Sequence, residues 1–66
     1  MGMPTMIRSQ MIREGYRIFP ESDGKADAPG TVAEMSRDGV TVTLALDDGR
    51  TLFYGYNINI FASTRD

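Results

Sequence analysis

The residues best suited to binding chemistry lie in one stretch, GRTLFYGYNINIF, from Gly49 to Phe61. Within it Arg50, Phe53, Tyr56, Asn57 and Asn59 bring together a cation, two aromatic rings and two amides. Arginine and large aromatics are the side chains that dominate interface energetics. The Asn-Ile-Asn-Ile alternation adds amide donors and acceptors beside them. The chemistry this implies is recognition, not bond making. The same residues admit a purely structural reading, in which Gly55 bends a strand, Phe53 covers the end of a barrel and the asparagines are solvated.

The rest of the composition narrows the reactions open to the chain. Its 66 residues include no Cys and no His. Thiol nucleophiles, Ser-His pairs and imidazole acid–base steps are therefore impossible within it. There are no disulfides, and a structural zinc site would have only carboxylates to offer, which such sites rarely use. One lysine, Lys25, and nine carboxylates remain, most of them in turn-like stretches. No catalytic residue, metal site or cofactor is implied. The acidic stretch ESDGKADAP could offer Glu21, Asp23 and Asp27 to a cation, but it lacks the Asp-x-Asp-x-Asp-Gly spacing and distal Glu of a calcium loop. It reads as a solvated loop.

Charge is uneven along the chain. Residues 1–20 carry Arg8, Arg13 and Arg17 against Glu14, net +2, and residues 21–66 carry four cations against eight acids, net −4. That balance argues against a general nucleic-acid-binding face and leaves a local arginine patch open. No apolar run reaches membrane-spanning length and no basic-then-apolar leader is visible, so a cytoplasmic protein without membrane insertion is expected.

The elements that must position these residues read mainly as strands. Val40, Val42, Leu44 and Leu46 alternate with Thr41, Thr43 and Ala45, which predicts a half-buried strand over 40–46. A three-residue loop at Asp47-Asp48-Gly49, with Gly49 left-handed, sets Leu44 opposite Leu52 and Val42 opposite Tyr54. A two-residue turn would place Leu52 opposite Ala45 and invert the face. At SRDG a four-residue loop closes Met35 on Val40, sets Ala33 opposite Val42 and leaves Glu34 in solvent beside Thr41. YRIF reads as a short strand ended by Pro20, and PESDGKADAPG as an exposed loop. Met3, Met6, Ile7 and Met11 recur at helical spacing, so the first fifteen residues are either a short helix over about 5–14 or a frayed tail. Four or five short twisted strands cannot form a two-sheet sandwich. The expected architecture is therefore a mainly β domain over 16–66, a small SH3-like barrel of about five antiparallel strands.

Several short islands carry family resemblances. MIREGYRIFPES, PGTVAEM and GYNINIFA, within residues 11–62, resemble the photosystem I reaction-centre subunit IV family, which implies an SH3-like barrel docking on a larger assembly. GYNINIFASTR is similar to the last two strands of Sm-like RNA-binding barrels, which implies a nucleic-acid-binding ring or dimer. INIF, from Ile58 to Phe61, looks like the Val-Gln-Ile-Tyr strand of the type II dihydrofolate reductases, which implies an oligomeric reductase with a site shared between subunits. The leading expectation is a non-enzymatic interaction module. Its partner is another protein or a second copy, met through Arg50, Phe53, Tyr56, Asn57 and Asn59.

Overall fold

The computed structural model describes residues 3–22 and 24–64. Alternating, β-branched and aromatic sequence gives a mainly β chain, as expected from its pattern. Among the described residues eight strands form: β1 (Thr5–Arg8), β2 (Arg17–Ile18), β3 (Glu21–Ser22), β4 (Lys25–Ala26), β5 (Gly30–Arg37), β6 (Thr41–Leu46), β7 (Thr51–Gly55) and β8 (Asn59–Ser63). Six of them make one antiparallel sheet in the order β1-β8-β2-β5-β6-β7, and β3 and β4 form a separate small hairpin. None of the described helical segments is long and apolar enough to cross a membrane.

Among the described residues the only helical segment is the three-residue turn Ser9–Met11, too short to cover the sheet, which must bury its apolar face against itself. Ile18, Val32, Val42, Leu44, Leu46, Ile60 and Ala62, from four adjacent strands, form a buried core together with Ile12. Ile7 of β1 and Leu52 and Tyr54 of β7, the two edge strands, pack against that same cluster. Edges at opposite ends of a sheet can share one core only if the sheet curls, so this is an open barrel.

The β6–β7 hairpin takes the expected form. Leu46 N–H donates to the Arg50 carbonyl at 2.8 Å across Asp47-Asp48-Gly49, Gly49 has φ +96°, and Leu44 and Val42 face Leu52 and Tyr54. The β5–β6 hairpin differs. Met35 pairs with Leu44 and Arg37 with Val42, not Met35 with Val40 and Ala33 with Val42. Two local features move the register. The Asp38 carboxylate accepts the Val40 and Thr41 N–H groups at 3.0 and 2.8 Å, and Gly39 at φ +100° makes the turn tight. A bulge between Val32 and Glu34 then absorbs Ala33, which keeps both Val32 and Met35 on the inner side. Glu34 is exposed opposite Ala45 instead of Thr41, and Val40 is a turn residue 74% exposed.

The N-terminal segment also departs from expectation. Residues 5–8 are a strand, with Met6 opposite Phe61 and Ile7 opposite Ile60, and only Ser9–Met11 make a single 3-10 turn. The reason is pairing. A strand here bonds to the otherwise bare edge of β8, and its alternation sends Ile7 inward and Met6 outward, whereas a short isolated helix is marginal in water. The loop expected over 20–30 contains the β3–β4 hairpin, closed at its base by Asp27 N–H donating to the Pro20 carbonyl at 2.9 Å.

Candidate interaction surface

β7 is an edge strand of the main sheet. Its sequence, Thr-Leu-Phe-Tyr-Gly, alternates so that Leu52 and Tyr54 turn half-buried towards the core while Thr51, Phe53 and Gly55 are exposed on the other side. Phe53 is 68% exposed, standing opposite Thr43 of β6. Burying such a ring is worth ~1.5–3 kcal/mol, a gain that the isolated chain forgoes.

The backbone of β7 is arranged with equal regularity. In an antiparallel ladder, hydrogen-bonded pairs alternate with non-bonded ones. The Leu46–Arg50 bond at 2.8 Å fixes the phase, so Leu44–Leu52 and Val42–Tyr54 are the bonded pairs. Thr51, Phe53 and Gly55 lie in the alternate positions, and their N–H and C=O groups point away from β6. One of these groups is engaged: the Gly55 carbonyl accepts the Ser9 hydroxyl at 2.6 Å.

The other sequence-predicted site residues lie apart from Phe53. Arg50 clamps the turn before β7: its Nε and Nη2 both lie 2.8 Å from Asp48 Oδ2, and Nη2 donates to the Pro29 carbonyl at 3.2 Å. The guanidinium and the backbone N–H of Arg50 together hold the Asp48 carboxyl below its ordinary range, and Asp48 in turn raises the pKa of Arg50. Tyr56 is half-buried against the core.

Asn57 closes the connection from β7 to β8 in a left-handed conformation, φ +63°. Asparagine tolerates this region better than most side chains. Its amide oxygen accepts Gln10 Nε2 at 2.7 Å and Arg8 Nη1 at 3.4 Å, while its own N–H donates to Gln10 Oε1 at 2.9 Å. The Gln10 carbonyl accepts Arg37 Nη1 at 2.9 Å. Asn57 thus joins the N-terminal segment to the far end of the sheet. Asn59 is exposed on the outer side of β8 opposite Arg8, and β7 and β8 are not neighbours in the sheet. The five residues therefore occupy several positions around the barrel, not a single patch.

A second feature was not visible in the sequence. A groove of about 300 Å³ is lined by Met6, Phe19, Glu21, Tyr54, Asn59 and Phe61, among others. Met6 and Phe61 are 57% and 48% exposed and face each other across the β1–β8 pair. The alternation of NINIFA, with Ile60 and Ala62 inward, was the available signal for Phe61. Met6 was masked by its helical spacing. Burial and the nearby Asp27 carboxylate, in that order, raise the Tyr54 phenol above its ordinary range. Comparison of the chain with protein families, with curated proteins and with solved structures finds no match.

Proposed function

We propose that this protein is a non-enzymatic interaction module that docks on another protein chain through the exposed side and edge of β7. The observation that carries the reading is Phe53: a large aromatic 68% exposed in the middle of an edge strand. Neutral, proline-free edge strands invite strand addition, and soluble proteins ordinarily blunt them with charge, proline or a bulge. None of these devices falls within Thr51–Gly55. A partner strand would gain main-chain hydrogen bonds along β7 and bury the Phe53 ring at the same time.

The nucleic-acid reading lacks comparable support. Of the N-terminal arginines, Arg8 is drawn to Asn57 and Arg17 is half-buried on β2, so the series does not present a free basic stripe.

The test is site-specific photo-crosslinking in the source cells, with a benzophenone amino acid in place of Phe53 and, as control, in place of Lys25. Covalent protein adducts formed from position 53 and absent from position 25 are expected. Adducts to nucleic acid, or equal labelling from both positions, would sink the reading.

A further inference from the structure

Resting on the reading that β7 is a docking surface, we infer that its partner is a second copy of the same chain. The two β7 strands pair antiparallel about a two-fold axis at Phe53. The argument begins with the phase of the backbone groups. Phe53 presents both its N–H and its C=O outward, as do Thr51 and Gly55 two residues to either side. A two-fold through Phe53 therefore makes Phe53 and its symmetry mate a doubly bonded pair. The same operation sets Thr51 of each copy against Gly55 of the other. Every outward donor on the strand meets an acceptor without any change of register. The Gly55 carbonyl keeps a second lone pair after taking the Ser9 hydroxyl at 2.6 Å.

The side chains agree with this register. Thr51 to Gly55 contains no charged residue, so the axis brings no like charges together. The nearest charge, Arg50, falls opposite Tyr56 of the second copy and is already balanced by Asp48 at 2.8 Å, so it meets no like charge across the axis. The two Phe53 rings stand on the same face across the axis, as a cross-strand aromatic pair. β8 offers no competing edge, because it is bonded on both sides by β1 and β2. The opposite edge of the main sheet, β1, carries Arg8 and is preceded by Pro4, both of which disfavour strand addition. Five paired residues make a contact smaller than the ~800 Å² per partner of a standard interface, which places the dimer among weak, reversible ones.

The experiment is sedimentation equilibrium on the full chain from ~1 µM to ~1 mM, spanning the expected dissociation constant, with circular dichroism on each variant. The wild type is expected to pass from monomer to dimer across that range. Thr51→Pro removes an outward N–H that β6 does not use and should leave a folded monomer, with the dissociation constant raised at least ~100-fold. Ala45→Lys, on the outer side of central strand β6, should still dimerise, because edge pairing does not cover it. Should Thr51→Pro unfold, Phe53→Asp decides: a folded monomer supports the pairing and a dimer overturns it. A wild type that stays monomeric, one that grows beyond a dimer, or a Thr51→Pro dimer beside an Ala45→Lys monomer would each overturn it. A monomeric wild type that still forms adducts to other proteins from position 53 would remove the second copy and leave the docking reading standing. Absence of any adduct would remove both.

Discussion

Asn57 separates a structural role from a binding one, and the separation can be measured. Asn57→Ala loses two things. The amide oxygen no longer accepts Gln10 Nε2, bonded at 2.7 Å, which costs ~0.5–1.5 kcal/mol. The alanine must also hold φ near +63°, where a β-carbon costs ~1–2 kcal/mol and asparagine less. Asn57→Gly loses the same hydrogen bond but relaxes the backbone. The expected losses are ~2 kcal/mol for alanine and ~1 kcal/mol or less for glycine, with Gln10→Ala near ~1 kcal/mol. For a domain of this size each kcal/mol moves the thermal midpoint by about 4–8 °C, so calorimetry resolves the series. The double variant Gln10→Ala/Asn57→Ala should lose less than the sum of the two singles, because each single already breaks the one side-chain bond that they share. Equal midpoints for Asn57→Gly and Asn57→Ala would show that the left-handed backbone contributes nothing. Strict additivity of the pair would dissolve the network. Since Asn57 faces Gln10 and not a partner, Asn57→Gly should leave the mass in solution unchanged.

Gly49→Val and Gly39→Val should each destabilise by ~1–2 kcal/mol for conformational reasons alone: both glycines have positive φ and open space around the position of an added β-carbon. Unchanged midpoints for both would refute the turn geometry. Gly30→Ala tests a different mechanism, since its β-carbon would stand 2.9 Å from both Arg50 Nη2 and Leu46 Cδ1. Both atoms are side-chain ends that can give way, so the loss should sit at the low end of overpacking, ~1 kcal/mol, and chemical denaturation should show a loss that Leu46→Val partly restores. Asp38 sets a pH dependence. Its carboxyl is held below the ordinary 3.8 by the Val40 and Thr41 N–H groups. A folded pKa below the unfolded one means stability that is present above pH ~4 and lost as pH falls through the folded value. Asp38→Asn should therefore flatten the acid limb of the stability curve, and an unchanged limb would show that the turn does not depend on that charge.

What could be read in advance follows from whether the determinant is local. Val42, Leu44 and Leu46 alternate with no competing pattern, and Asp-Asp-Gly offers one loop that keeps Leu52 inward, so strand, loop and register of the β6–β7 hairpin were all legible. The exposure of Phe53 followed from the same alternation. At β5 the extra residue Ala33 makes a bulge, and nothing in Thr-Val-Ala-Glu-Met marks it. Residues 5–11 read in isolation as a short helix or a frayed tail, and the strand was not anticipated. What decides for the strand is the edge of β8, some fifty residues along the chain, and a pairing that distant leaves no local trace. Asn57 was singled out for its amide, but its amide serves a contact with Gln10 that exists only because β1 sits where it does. The groove was missed for the same reason, since Met6, Phe19, Tyr54 and Phe61 come from four separate segments.

The N-terminal segment thus bears on association as well as on stability. By pairing with β8, β1 removes one sheet edge and substitutes its own, a short one that carries Arg8 and follows Pro4. Ser9, Gln10 and Arg37 then lash this segment to Gly55, Asn57 and the β5–β6 hairpin, fixing the far end of β7 in place. The result is an asymmetry between the edges: one is shortened and charged, the other neutral and centred on an exposed phenylalanine. The eight buried apolar residues among those described supply limited stability in so short a chain. Leaving the longer edge bare while the other is guarded is understandable if that edge is covered in the working state, where strand pairing adds hydrogen bonds and buries the Phe53 ring at once.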